Sequence, residues 1–153
     1  MTQEHIMKRR MVIAIMLMIA AVIAMLVFLG LFVDEKRRVQ ETYRTQFNAN
    51  LADTVEAVDS FLKDDNDKEF RYRRILSDMA GADSFAFLLE NLTEEQKIAV
   101  NELHSCLIKY PEQMKDKTRL ADMRQALVDM GENLDKGFEE AKAVVDAIDR
   151  KGH

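Results

Sequence analysis

The hydrophobic and polar positions divide the chain into one continuous apolar run and a longer region of helical periodicity. Residues 11–33 carry no charge and read MVIAIMLMIAAVIAMLVFLGLFV. About 20 apolar residues in a helix that rises 1.5 Å per residue cross a hydrocarbon core of roughly 30 Å. The run therefore predicts one transmembrane helix, with basic residues at 8–10 before it and a charged stretch at 34–38 after it.

The region after this run is predicted to open with a helix from Asp34 to Leu62. Its outer half places four apolar residues within roughly 60° of arc, which indicates a buried face: Leu51, Val55, Val58 and Leu62. The polar run 63–68 supplies turn residues and ends this helix. A second, shorter helix is expected to end at Gly81, after which 85–89 form a short apolar turn that plugs the core.

A further helix start is marked by Thr-Glu-Glu-Gln at 93–96, which is a capping box. The Thr hydroxyl accepts a backbone N–H three residues on, and the Gln side chain reaches back. The helix is expected to bury Ala99, Val100, Leu103, Leu107 and Tyr110. Pro111 then ends it or begins a new one, because proline lacks a donor N–H and disfavours helix at the preceding residue.

The last segment has the most regular apolar pattern outside the run. Nine residues, here called the seam, fall within about 80° of arc on a helix of 3.6 residues per turn: Leu120, Met123, Leu127, Met130, Leu134, Phe138, Ala141, Val145 and Ile148. The seam predicts one long helix that pairs antiparallel with the first, residues 51–62 lying against its earlier part. Gly131 and Gly137 fall at its borders, where they either admit a neighbouring helix or are local weak points.

These patterns predict an all-α chain. Charged residues make up 32% of it, proline occurs once and glycine is scarce, as in helical domains. We expect a short cytoplasmic tail at 1–10, a transmembrane signal-anchor helix at 11–33 and one extracytoplasmic domain at 34–153. That domain is predicted to be a small antiparallel helical bundle of about four helices, with the first and the last long.

The charges beside the run predict its orientation. Three basic residues lie on each side, at 8–10 and at 36–38, so the positive charges are nearly balanced. Asp34 and Glu35 dilute the second cluster, and the free amino terminus adds to the first. We therefore predict a single-pass protein of the cell membrane with a cytoplasmic N-terminus. The rival interpretation is a cleaved signal peptide, although the run exceeds the usual length of about 7 to 15 residues and no A-x-A-like site follows.

The net charge restricts the partners. Subtracting Glu4 and the basic residues at 8–10 from the totals of 27 acidic and 22 basic residues leaves 26 and 19, a net charge of −7. That balance argues against nucleic acid or anionic lipid as the main partner. The single cysteine, Cys106, excludes an intramolecular disulfide and a thiolate-based zinc site.

No catalytic or metal-binding pattern is visible. His5, His104 and His153 have no second His, Cys or carboxylate at a ligand spacing, and His104 is predicted to be solvated near Glu102. Neighbouring acids are expected to neutralise the arginines at 71, 73 and 74. There is no glycine-rich phosphate loop, no G-x-S-x-G and no Cys/His pairing. We therefore expect no enzymatic activity, cofactor or metal.

The stretch 92–96, Leu-Thr-Glu-Glu-Gln, resembles the L-T-x-x-Q signature of periplasmic helical stress and metal-sensing proteins, some of which have one N-terminal anchor helix. Those families repeat the signature or place His and Met ligands around it, and this sequence does neither. We interpret the stretch as capping chemistry and assign no family.

The function expected from these features is that of a non-catalytic interaction or scaffold subunit. Its helical domain would pack by a helix face with a second copy or with another membrane protein. The expected interaction face is the end of the seam, left uncovered by the rest of the domain: Leu134, Phe138, Ala141, Val145 and Ile148. The alternative is an extracytoplasmic sensor or ligand-binding module that holds a small molecule or ion between helices and signals through a partner.

Overall fold

The computed structural model describes residues 3–64 and 66–149, with side chains described from Met7 onward. Six helices lie in these residues: α1 Gln3–Lys63, α2 Lys68–Leu88, α3 Glu94–Lys109, α4 Pro111–Met114, α5 Lys117–Glu132 and α6 Phe138–Asp146. No strand occurs in the described part of the chain, so the all-α prediction is confirmed. The chain divides into unit 1, Met1–Val39, and unit 2, Gln40–His153.

Unit 1 is helical through all of its described residues. Proline is absent from it, and its one glycine, Gly30, has open space around it, so nothing interrupts the backbone hydrogen bonds. The prediction of a long apolar helix near the N-terminus is confirmed. A flanking ion pair joins Arg38 to Glu35, one turn apart, at 3.1 Å.

Unit 2 forms a core from all of its helices. α3 packs on α2 and on α6, and α5 packs on α6. Tyr72 of α2 donates its hydroxyl to the carbonyl of Leu107 in α3 at 2.7 Å, while its ring packs edge-on against Phe61 of α1. The largest fully buried side chains come from every helix except α6, together with Leu89, which follows α2: Phe47, Leu51, Ile75, Met79, Leu89, Leu103, Leu107, Met114, Leu120, Met123, Leu127 and Met130.

The part of α1 in unit 2 pairs antiparallel with α5. Arg124 donates to Asp59 through Nε at 2.6 Å and Nη2 at 3.1 Å. At the other end of the same contact, Asn48 lines a groove together with Glu132. These contacts order the residues of α1 and α5 in opposite directions, with Asp59 beside Arg124 and Asn48 beside Glu132.

Two boundaries predicted for α2 are wrong. The helix continues through Gly81 to Leu88. At Gly81 the missing side chain leaves room for the Asn50 side chain of α1, which a Cβ would meet. Residues 85–89 therefore form the end of α2 instead of a separate turn. Ala86 and Leu89 are buried, whereas Phe87 points outward and does not plug the core.

The predicted long last helix is also wrong. α5 ends at Glu132 and α6 begins at Phe138. Between them Asn133 turns the chain, its side-chain oxygen accepting the Asp135 N–H at 3.0 Å, and Gly137 adopts φ +82°, which a residue with a side chain rarely tolerates. The seam stays buried because α5 and α6 pack on each other. Its apolar spacing is therefore the same as that of one continuous helix and does not indicate the turn at 133–137.

The glycines of the seam have different roles. A Cβ on Gly137 would collide with the Ala126 carbonyl and lie 2.8 Å from the Met130 nitrogen, whereas a Cβ on Gly131 would meet nothing within 4 Å. Gly137 is therefore required by the turn and by close backbone packing. Gly131 is a helix position with no packing requirement.

The remaining predicted boundaries agree with the structure. α1 ends at Lys63, at the start of the polar run. The Thr93 hydroxyl accepts the Gln96 N–H at 3.2 Å while the Gln96 side chain accepts the Thr93 N–H at 2.8 Å, so the capping box is confirmed. Pro111 occupies the first position of α4 after a break at Tyr110.

Candidate functional site

The most distinctive surface of the chain is the apolar segment of unit 1. Large apolar side chains at 11–33 are 44% to 70% exposed. Among the described residues, α1 is the one helix long and apolar enough to cross a membrane, and none of its most apolar stretch is buried. So much contiguous apolar surface is unfavourable in water, and its length and composition are compatible with a single membrane span.

The residues predicted as an interaction face lie in the core of unit 2. Phe138 and Ile148 are 6% and 5% exposed, Ala141 and Val145 are fully buried, and Leu134 is partly buried against the core. Because α6 turns back on α3 and α5, it covers the end of the seam within the chain. The expectation that Val145 and Ile148 stay uncovered is wrong.

A charged cleft of about 550 Å³ lies between α3 and α6. Its apolar lining includes Ile98, Ala99 and Phe138. Six acidic and two basic side chains line it: Glu95, Glu102, Asp129, Asp135, Glu139, Glu140, Lys136 and Lys142. Most of them are exposed, so solvent screens their charges. The cleft can attract a cation and offers no buried acid–base pair.

One side chain holds the rim of this cleft together. Gln96, besides closing the capping box, donates its amide to the carbonyl of Leu134 at 3.0 Å. Leu134 belongs to the turn between α5 and α6, so this bond fixes the turn to the first turn of α3. The sequence pattern that marks a helix start thus also positions a loop from a distant part of the chain.

His104 is not solvated as predicted. Its side chain is 18% exposed, and Nδ1 lies 3.0 Å from Oδ2 of Asp83 on α2. The Asn101 amide donates to the same oxygen at 3.0 Å. The three residues form a polar contact between α2 and α3. His5, as regards its side chain, and the whole of His153 lie outside the described residues.

The arginines at the start of α2 are neutralised, as predicted, although partly by other acids. Arg71 pairs with Asp64 at 2.7 Å. Arg73 pairs with Glu69, and Arg74 lies within ion-pair distance of Glu56 of α1 and Asp78. Asp65, expected to contribute, lies outside the described residues. No open anion site results.

Within residues 3–64 and 66–149, no group of three or more His, Cys, Asp or Glu residues is placed to hold a metal ion. Cys106 is buried. Tyr72 is buried as well, and burial raises the pKa of its phenol. Because its hydroxyl donates to a backbone carbonyl, Tyr72 serves the fold and is not poised for proton transfer.

Sequence reasoning missed two glutamine contacts that join distant segments. Gln40 donates to the Leu88 carbonyl at 3.2 Å and accepts the Glu90 N–H at 3.0 Å. Gln113 makes both kinds of bond to the backbone of Asp149, each at 2.9 Å. No local pattern marks them, because an amide side chain can pair with any backbone group.

No protein-family profile, curated protein or solved structure matches the chain. Its class is therefore defined by its own features. It is an all-helical chain with one long apolar N-terminal helix, compatible with a single-pass membrane protein, and a separate helical unit with its own core.

Proposed function

We propose that this chain is a membrane-anchored, non-catalytic interaction or scaffold subunit. Residues 11–33 span the cell membrane with the N-terminus in the cytoplasm, and unit 2 lies outside the cytoplasm. There it recognises a second copy or another membrane protein through its surface.

Support for the anchor comes from the exposed apolar side chains of 11–33, which unit 1 has no means to cover. A hydrocarbon environment removes their contact with water, and the helix satisfies its own backbone hydrogen bonds. The orientation rests on the basic residues at 8–10 and on the acidic dilution at Asp34 and Glu35.

The observation that carries the non-catalytic part is the interior of unit 2. Among the described residues, three buried side chains carry a polar atom, Thr54, Tyr72 and Cys106. The Thr54 and Tyr72 hydroxyls donate to the backbone carbonyls of Asn50 and Leu107, each at 2.7 Å. Ligand and active sites need several convergent polar groups. The polar cluster of Asp83, Asn101 and His104 pairs within itself between α2 and α3, so it serves the packing of these helices. The surface of unit 2 is then what remains for recognition.

Crosslinking in native membranes tests this proposal. An amine-reactive crosslinker added to intact cells should convert the chain into a discrete larger species, because exposed lysines such as Lys117 and Lys142 lie on unit 2. Mass spectrometry then identifies the partner or a second copy. Recovery of the monomer alone, at native expression level and with a known membrane complex crosslinked in the same sample, would contradict the proposal.

The sensor function is the second candidate, and the cleft between α3 and α6 is the observation that favours it. A cationic ligand such as a polyamine would raise the melting temperature of the full chain in a saturable way. The variant Glu95→Gln with Glu139→Gln should abolish that rise, while Glu112→Gln, an exposed acid outside the cleft lining, should not. If the chain is an interaction subunit instead, we expect no saturable rise of the melting temperature with a polyamine.

A further inference from the structure

We propose that the α2 tip, defined as Phe87 and Leu88, docks on the interfacial layer of the bilayer that residues 11–33 span. This inference rests on the proposed function and adds to it a second membrane contact, made by unit 2 itself. The exposed apolar tip thus contacts lipid, at the level of the headgroups and the first acyl carbons.

The α2 tip is an ordered apolar projection. Phe87 is 67% exposed and Leu88 is 48% exposed, although Ala86 before them and Leu89 after them are buried. Phe85 is engaged with the ring of Tyr43, at a centroid distance of 6.2 Å. The chain therefore buries the neighbours of the tip and holds its two large apolar side chains outward.

Several backbone groups at the tip have hydrogen-bond partners within unit 2. The last carbonyls of a helix lack partners within the helix, and leaving them unpaired beside hydrocarbon is costly. Here the Gln40 amide donates to the Leu88 carbonyl, and Leu89 N–H donates to the Ala86 carbonyl at 3.3 Å. Gln40 also accepts the N–H of Glu90.

The same glutamine connects the tip to the apolar run through a short stretch of chain. Six residues, 34–39, join Val33 to Gln40, and seven chain steps reach at most about 25 Å even when fully extended. Through its bonds to Gln40, the tip is therefore connected to the end of the apolar run by only six residues of chain. Exposed Phe and Leu side chains are the kind that enter this interfacial layer.

Phe70 supplies a matched control. It is 71% exposed and lies on the same helix, 17 residues from Phe87, which corresponds to about 25 Å along α2. Arg71, the residue after Phe70, bonds to Asn66 and to Ser60, which lies 20 residues beyond Gln40 in the chain. Phe70 is equally apolar and equally exposed, and lacks the tether.

The chain contains no tryptophan, so Phe87→Trp and Phe70→Trp each introduce a single selective fluorophore. Each full-length variant is reconstituted into phosphatidylcholine vesicles in which a fraction of the lipid carries a nitroxide high on the acyl chain. We expect Trp emission at position 87 to shift to shorter wavelength and to be quenched by the nitroxide lipid. Emission at position 70 should stay solvent-like and unquenched. Leu88→Trp should behave as Phe87→Trp does.

Other outcomes overturn the inference in distinguishable ways. If Trp emission is solvent-like at both position 87 and position 70, the tip lies in water. If Trp emission at position 87 is shifted to shorter wavelength but is not quenched by the nitroxide lipid, protein covers the tip. Alkaline extraction of the same vesicles separates these results from a failure of the anchor. If the chain is retained while position 87 is unquenched, only the tip contact is wrong; if the chain is released, the proposed function fails as well.

Discussion

Two phenylalanines of the same helix show how the two units differ. Phe28 in unit 1 is 70% exposed, whereas Phe47 in unit 2 is fully buried. Both lie in α1, so neither helix formation nor apolarity decides their burial. In unit 2, surrounding helices cover the apolar face; in unit 1, apolar residues occupy the whole perimeter and nothing covers them. The comparison indicates that unit 1 requires an apolar medium from outside, while unit 2 provides its own.

The largest effect that follows is on the apolar segment. Ile19→Lys combined with Ile23→Lys places two charges in the middle of the run, and each costs about 2.5–3.5 kcal/mol on insertion. We expect the variant to leave the membrane fraction on alkaline extraction. Ile98→Lys with Ile108→Lys changes two similarly exposed isoleucines of unit 2 and should leave extraction unchanged. If alkaline extraction releases the two double variants equally, the claim that unit 1 and not unit 2 lies in the membrane is contradicted.

Truncating a buried side chain of unit 2 should have the next largest effect, a loss of folding stability that a truncation in unit 1 should not cause. Leu127 is 1% exposed, so Leu127→Ala should lower the free energy of unfolding of unit 2 by about 2–5 kcal/mol, measured by denaturant titration of the full chain in detergent. Leu17→Ala, at an exposed site of unit 1, should leave that transition in place. A loss below about 0.5 kcal/mol at Leu127 would contradict the core assigned to α5.

The two glycines of the seam should respond with opposite sign. Gly137→Ala forces a side chain into φ +82° and against α5, which should cost at least about 1–3 kcal/mol. Gly131→Ala meets open space inside α5 and should raise stability by up to about 1 kcal/mol. Thermal unfolding of both variants is the measurement. A stabilising Gly137→Ala would mean that the turn between α5 and α6 is not formed.

The extent of sequence-based prediction follows from what each signal measures. The continuous run at 11–33 and the capping box at Thr93 report local physics, and the structure has a helix over the run and the predicted capping box. Helical spacing in the seam reports only which way side chains face. It could not reveal that Gly137 turns the chain while the apolar residues continue to face inward. The Gln40 contacts depend on segments about fifty residues apart, which no local pattern encodes.

The smallest effects concern two aspartates of unit 2 with opposite pKa shifts. A hydrogen bond from Arg124 lowers the pKa of Asp59. Its stabilising contribution is therefore present above the unfolded value, near 3.8, and is lost as the pH falls through the lower folded value. Asp59→Asn should cost less than about 1 kcal/mol at neutral pH and flatten the acid limb of the stability curve.

Burial raises the pKa of Asp78, with Asp53 contributing and Arg74 opposing. Ionisation of Asp78 therefore destabilises the fold increasingly as the pH rises from the unfolded value, near 3.8, to the higher folded value. Asp78→Asn should slightly raise the melting temperature at neutral pH and lose this advantage in acid. Melting curves of both variants from pH 3 to about 7 test the two pKa shifts. If Asp59→Asn and Asp78→Asn change the melting temperature at neutral pH in the same direction, the opposite pKa shifts of Asp59 and Asp78 are contradicted.

The central claim is that 11–33 lies in lipid while unit 2, apart from the α2 tip, lies in water outside the cytoplasm. Single cysteines at Ile23→Cys and Lys117→Cys, in a Cys106→Ala background, test it directly with a membrane-impermeant maleimide added to intact cells. The account predicts labelling at position 117 and none at position 23 until detergent is added. Labelling at position 23 in intact membranes, or protection of position 117 until the cells are lysed, would contradict it.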